Sequence, residues 1–458
     1  MAACRGEADI VQYLLSKEAN PHATDLEGWT PIWAAARYGY TEVVRLLVEA
    51  KADVNCVCSN LEWTPLHAAA EFPDTVRVLL ECGGDISRET ELSGTPLDCA
   101  IRMGHPETVR VMLEESKPDL TLVSTQAALR DAVMAGYTEV VTLVLEAGVD
   151  VNAVDETNQS LLSIAMRTDS AMRTDSETMV RKILEYRPDV DIKDANEDTA
   201  LHRITRWTPV ESVRLLVNAG TKLNAINRGR ITPLLIAIRE ENEEVARYLL
   251  GKPAVTATLN MASFRDRATP LHLACQHGNL ETVQLLLELG SDPNFDCVGW
   301  YGTPLIAATL REKDEPDGEN QKQQIIQLLL EKGAVPAASA SDFGHLIISA
   351  SLACSAEQVK LLLNNGATAD VRDSFDRKPV HLACYNSLEV LDALDVADSE
   401  FAVGDVVGRV PLHYAVLSGQ VNLVEEVVAR SERVGVGIDV KDKDGWTPLL
   451  WAARASAV

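Results

Sequence analysis

The sequence predicts an all-α solenoid built from stacked two-helix repeats of about 33 residues, and three observations predict it. A short pattern centred on Thr-Pro-Leu recurs through the chain at near-constant spacing. Each copy leads into small residues and then into paired aliphatics at helical spacing. Glycines fall where two such helices have to stop.

The clearest copies are Thr64-Pro65-Leu66-His67 and Thr269-Pro270-Leu271-His272. Others begin at Thr30, Thr95, Thr232, Thr303 and Thr447, weaker ones at Thr199, Lys378 and Val410, and degenerate ones at Ala127, Ser160 and His345. Consecutive starts lie 31 to 42 residues apart, most of them within two of 33. One long interval explains itself: Ala-Met-Arg-Thr-Asp-Ser runs twice in succession, over 165–170 and 171–176. Such a duplication lengthens a loop, which a stacked array tolerates.

Within one repeat, Thr suits the position before a helix, where its hydroxyl accepts from a free N–H, and Pro suits the first helical position. Small residues such as Ala34-Ala35-Ala36 and Ala68-Ala69-Ala70 then permit close helix approach. Gly39, Gly104, Gly136, Gly278 and Gly419 are placed to end the first helix in a left-handed cap. The second helix carries Val43/Val44 with Leu46/Leu47, Val140/Val141 with Leu143/Val144, and Val359 with Leu361/Leu362. Gly148, Gly220, Gly290, Gly333 and Gly366 close it, and Asp-Val-Asn (53–55, 150–152) leads into a loop or hairpin.

This pattern resembles the ankyrin repeat, over nearly the whole chain. The resemblance implies helix-turn-helix repeats joined by β-hairpins or loops, a non-catalytic protein-binding role, and a structural His in the Thr-Pro-Leu-His position. Helices packed 8–10 Å apart give a rise of roughly 10 Å per repeat, so an elongated, curved rod roughly 120 Å long is expected. The organisation expected is one continuous array over 1–458. It has a partial N-terminal repeat (1–29), about twelve repeats over 30–446 with insertions near 165–176 and 311–323, and a partial C-terminal repeat (447–458). With no polar terminal cap at either end, the chain reads as a segment of a longer array or multidomain protein.

Bulk properties narrow the function. The 458 residues carry a formal net charge of −26, which argues against non-specific binding to nucleic acid or anionic membrane. No apolar run approaches a membrane span, and the N-terminus lacks a signal-peptide build. Nine scattered cysteines fit an intracellular, reduced setting, cytoplasmic with the nucleus as the alternative. Cys56-Val57-Cys58 has the wrong spacing for a zinc site and reads as solvated thiols. Asp442-Lys443-Asp444-Gly445 lacks the ligands of a calcium loop and reads as a hairpin. No nucleotide-binding, nucleophile-elbow or metalloprotease motif occurs, so no catalytic residue, metal or cofactor is expected. The acidic stretch Glu312–Glu319 reads as a solvated loop between the two helices of its repeat.

In the ankyrin family, specificity residues lie on hairpin tips and on the exposed face and end of the first helix. Those positions hold two patches here. One is aromatic and N-terminal: Trp29, Tyr38, Trp63 and Phe72, with Arg37, Arg102 and Met103, the residue types that anchor interfaces. The bland alternative is that Trp before Thr-Pro, which recurs as Trp446, is packing. The other patch is basic and central. Arg228 and Arg230 precede Thr232 by four and two residues, as Arg265 and Arg267 precede Thr269, and Arg203, Arg206, Trp207 and Arg239 fall on or near first helices of the same region. Net charge runs −13, −4 and −9 over 1–150, 151–300 and 301–458. A relatively basic stretch in an acidic chain suits an acidic or phosphorylated protein segment held by bidentate Arg contacts; scattered surface charge is the alternative. The function expected is a protein-binding scaffold. The runner-up is a structural or sensing arm of a larger signalling protein or channel.

Overall fold

The residue that opens each repeat does what its position demands. In the computed structural model, which describes residues 2–58, 62–167, 176–265, 267–297, 302–310, 318–336 and 346–455, the side-chain oxygens of Thr30, Thr95, Ser160, Thr232 and Thr303 each accept from the N–H three residues on. The His at the third helical position returns the bond. Nδ1 of His67 accepts from the Thr64 N–H at 3.2 Å, and Nδ1 of His272 from the Thr269 N–H at 3.4 Å. With Nδ1 accepting, the proton sits on Nε2, which donates to the carbonyls of Gly94 at 3.2 Å and Gly302 at 3.0 Å, at the base of the next repeat's hairpin. His381 and His413 do the same to Val403 and Trp446, although Lys378 and Val410 stand where Thr usually does. Asp98 substitutes for His, accepting from the N–H of Thr95 at 2.8 Å, and Gln358 makes the same bond at the start of a second helix, Ala356–Asn364, accepting from the N–H of Ser355 at 3.1 Å.

Hairpin geometry rests on a second device. Five residues before the opening position, Asp25, Asp155, Asp194, Asn227, Asp373, Asp405 and Asp442 each accept, on Oδ1, two backbone N–H groups two and four residues on, at 2.8–3.1 Å. Such Asx turns fix the tips without sheet pairing. Among the described residues the β-structure is limited to isolated bridges, Thr90–Gly94, Val154–Ser160 and Cys297–Gly302.

The chain forms two compact units, Met1–Lys222 and Leu223–Val458. In the first, helix pairs such as Pro31–Arg37/Thr41–Glu49 and Pro96–Met103/Pro106–Glu115 stack first helix on first helix and second on second. The second continues the pattern with Pro233–Arg239/Glu243–Leu250, Pro270–His277/Leu280–Glu288 and Pro379–Asn386/Leu388–Leu394. The core lies between the two layers of each unit, where Ala34, Ala35 and Ala36, or Val245 and Leu249, lose essentially all exposure. Asparagines stitch neighbours at the loops: Asn55 and Asn294 accept from the N–H of Asp85 and Val335, both at 2.8 Å, and donate to the carbonyls of Gly83 and Gly333.

Several expectations need correction. The repeat at Ala127 has its first helix over Val123–Ala135, starting a turn early, because no Thr caps it at 126–127. The repeat at Thr199 keeps only a 3₁₀ turn, Ala200–Arg203: it lacks Pro at the first position, and Thr205 and Thr208 bond each other in place of a helix. The loop expected over 311–323 gives way to helix at its C-terminal end, since Gly318–Glu331 is one helix, rich in the good helix formers Gln, Glu, Lys and Leu. Its Lys322 is buried and donates Nζ to the Ala353 carbonyl at 2.8 Å. The second copy of the duplicated hexapeptide, over 171–176, falls almost wholly outside the described residues, as do 311–317 of the acidic stretch and His345.

Gly104 shows how closely repeats approach. It ends its helix at φ +77°, and a Cβ there would lie 2.7 Å from the Tyr137 ring of the next repeat. Gly136 ends its own helix at φ +84°, and a Cβ there would meet nothing within 4 Å. Gly136→Ala should therefore cost about 1 kcal/mol of backbone strain. Gly104→Ala should cost roughly 1–3 kcal/mol more, because the ring must move. Urea denaturation of the two variants tests this, and equal midpoint shifts would remove the ring contact as the cause.

Burial pushes His67 and His272 down to about 4 against the weaker pull of their carbonyl partners, and lowers His381 and His413. A depressed folded pKa means these rings contribute stability above the unfolded value near 6.5, and that this is lost as pH falls from there towards 4. Each of the two fully buried rings should lose about 2 kcal/mol by pH 5. Gln358 shows that a carboxamide can make the capping bond without titrating. The His67→Gln/His272→Gln protein should thus show a shallower fall in denaturation midpoint between pH 7 and 5 than the parent; identical slopes would refute the assignment.

Candidate functional site

The Asx turns hold hairpin tips rigidly outward, so the residues between the Asx side chain and the next helix become a surface. In the C-terminal unit, Asn227 sets the tip that carries Arg228 and Arg230, both exposed. Arg230 sits in the left-handed region at φ +55°, as Arg267 does at φ +47° two residues before its own Thr. The equal register read from the sequence is thus an equal backbone geometry. The two tips are also joined. The Phe264 N–H donates to the Gly229 carbonyl at 2.8 Å, and the Arg230 guanidinium lies 5.4 Å from the Phe264 ring centre. Phe264 is 63% exposed, with Arg265 exposed beside it. Arg239 is half-buried at the end of the helix Pro233–Arg239.

Arg203, Arg206 and Trp207 belong to the N-terminal unit. Arg203 is turned inward to Asp194 and Asp198. Arg206 and Trp207 lie in the turn after the 3₁₀ segment, with the guanidinium 5.7 Å from the ring centre and Trp207 53% exposed. They are not on a first helix, because that helix is not formed.

The aromatic patch is largely committed to packing. Trp29 and Trp63 are half-buried against a core of Trp33, Cys58 and Ala68, with the Trp29 and Trp33 ring centres 4.6 Å apart. The Trp63 indole donates to Ser93 Oγ at 3.0 Å, and the Trp33 indole to the Trp63 carbonyl at 3.1 Å. Phe72 covers Gly39, where a Cβ would meet its ring at 2.3 Å. Arg37 pairs with Glu71 at 3.5 Å. Arg102 bridges Asp131 at 3.0 Å and the carbonyls of Ser93 at 2.6 Å and Ser124 at 3.5 Å. Met103 is half-buried, and Tyr38 remains an exposed ring of the set.

Cys58 is buried in that core, not solvated as expected, and Cys56 Sγ lies 3.0 Å from Thr30 Oγ1. Burial raises the Cys56 thiol, and pushes Cys99 to about 12 and Cys297 to about 11, which disfavours thiolate at neutral pH. Asp442 is an Asx residue of a hairpin, as read, and its second oxygen accepts from the Trp451 indole at 2.9 Å. No group of three His, Cys, Asp or Glu among the described residues could hold a metal ion, and no helix there is long and apolar enough to cross a membrane. Sequence reasoning missed Phe264, which precedes Thr269 by five residues where Asx is usual. It also missed the recurring Asx itself, legible as Asp or Asn five residues before the opening Thr.

The family described as ankyrin repeats (3 copies) matches residues 1–90, 73–155, 169–261, 251–340 and 346–437. Among curated proteins, the chain is 29% identical to an ankyrin repeat and KH domain-containing protein, mask-1, of Caenorhabditis elegans over 64% of this chain and 11% of that protein. It is 24% identical to an ankyrin repeat domain-containing protein of Stachybotrys chartarum, SAT10, over 99% of this chain and 23% of that one. It is 25% identical to the human transient receptor potential cation channel subfamily A member 1 over 73% of this chain and 30% of the channel. The matches therefore span less than a third of each of these relatives.

Proposed function

Since this chain belongs to the ankyrin-repeat family, whose repeats are generally protein-interaction modules, we propose that it is a binding scaffold that holds protein partners by side-chain complementarity and performs no chemistry. The favoured contact is the pair of joined tips around Phe264, with an acidic or phosphorylated protein segment as its ligand. One observation carries this reading: the Phe264–Gly229 hydrogen bond brings two arginine-bearing tips side by side around an exposed ring. Guanidinium groups on fixed backbone recognise carboxylate or phosphate at little ordering cost, and an exposed ring adds apolar area. The net charge of −26 disfavours nucleic acid as the ligand.

A second reading has its own support in the small share of each relative that is matched, one of them a channel. In it the array is a structural or sensing arm beside an effector domain. End-to-end sequencing of the native transcript tests this, and a reading frame with no further domain would end it.

For the favoured reading, partners are captured from source-cell lysate with the parent and with an Arg228→Glu/Arg265→Glu chain, and quantified by mass spectrometry. Both substitutions are at exposed positions and should leave the circular dichroism melt unchanged. A set of partners should disappear from the variant and should also be released from the parent by salt, since screening shortens to about 3 Å at 1 M. Recovery of the same set by both chains would sink the basic-tip reading.

A further inference from the structure

The N-terminal unit presents a different edge. Leu26 is fully exposed at the first tip, Leu92 is 85% exposed at the third, and Val123 is 77% exposed where the fourth loop enters its helix. These loops follow one another in contact. Cys58 Sγ lies 3.8 Å from the Glu27 carbonyl, the Trp63 indole reaches Ser93, and Ser124 Oγ donates to Glu89 at 2.9 Å. Leu26 and Leu92 also stand on rigid supports. Asp25 Oδ1 accepts from the N–H of Glu27 and Trp29, and Thr90 and Gly94 exchange both backbone bonds. Large aliphatics held out in water on fixed backbone suit a contact surface, since their ordering cost is already met.

Charge decides what covers them. Asp25, Glu27, Glu62, Glu89, Glu91 and Asp119 are exposed on these same loops, against Arg88 and Lys117. Spacing decides the conformation. First helices stacked on first helices at about 8–10 Å set successive tips ~10 Å apart. A polyproline II segment advances about 9.3 Å in each three-residue turn. We propose that this edge docks an extended basic segment of a partner protein, with a large aliphatic side chain at every third residue and Lys or Arg between. The aliphatics would meet Leu26, Leu92 and Val123, and the cations the flanking carboxylates. This edge shares no residue with the arginine-bearing tips of the C-terminal unit, so either reading can fail without the other.

The test uses the full chain and the peptide Ac-(Leu-Lys-Pro)₄-NH₂, with Ac-(Ser-Lys-Pro)₄-NH₂ as a probe of charge alone, followed by fluorescence anisotropy. The Leu26→Ser/Leu92→Ser chain keeps every charge, and its exposed positions should leave the melt unchanged. The leucine peptide should bind the parent, bind this variant about tenfold more weakly, and bind a Glu27→Lys/Glu91→Lys chain more weakly still. The serine peptide should bind parent and leucine variant alike. Equal affinity of the leucine peptide for parent and leucine variant would overturn the proposal, leaving only attraction to an acidic chain. No binding, with parent self-association that the leucine substitutions abolish, would equally overturn it in favour of a second copy as the occupant.

Discussion

The structure depends on a buried polar side chain at the third position of the first helices that open at Thr64, Thr95, Thr269, Lys378 and Val410. It holds its own helix's start with one polar atom and, where it is His, the next repeat's hairpin with the other. For His67 and His272 both bonds lie in a core that excludes water, which is why the ring must stay uncharged and why its tautomer is settled. Asp98 is the instructive exception. Its Oδ2 makes the helix-start bond, but the side chain is too short to reach onward, and Oδ1 is left buried without a hydrogen-bond partner. The repeat that follows is the one whose first helix starts a turn early, at Val123.

Around that bond, each remaining device couples a repeat to its nearest neighbour and to nothing further away. Asparagines at 55 and 294 tie one loop to the next, Gly104 admits the ring of Tyr137, and Arg77 reaches Glu115 across second helices at 2.7 Å. The surface ion pairs add little, because water screens them. The aliphatic layers and the hydrogen-bonded loops carry the stacking. Local coupling also explains why the repeat at Thr199 can lose most of a helix while its second helix, Val210–Asn218, still buries Val213 and Leu216.

Periodicity made the architecture legible in the sequence, because Thr-Pro at a helix start and Gly at its end act through local backbone chemistry. Cys58 and the tryptophans were not legible in the same way. Whether Trp63 faces solvent or Ser93 is settled by the neighbouring repeat, some 30 residues on, and composition is silent about it. The first turns of the helix at Gly318–Glu331 were hidden for the opposite reason: they fall in the stretch read as loop, although Gln and Lys are good helix formers and Lys322 finds a buried carbonyl. Phe264 was hidden because it occupies a position where most repeats place an Asx residue.

These constraints also determine where variation can carry function. The opening residue, the third position, the aliphatic layers and the Asx oxygen are bound by contacts a repeat cannot lose without disturbing its neighbour. The residues between the Asx side chain and the next helix make few such contacts, yet their backbone is fixed by two hydrogen bonds per tip. A tip is therefore a rigid mount for a nearly unconstrained side chain. That is the condition under which Leu26 in one unit and Arg230 in the other can differ in chemistry without disturbing the stack beneath them.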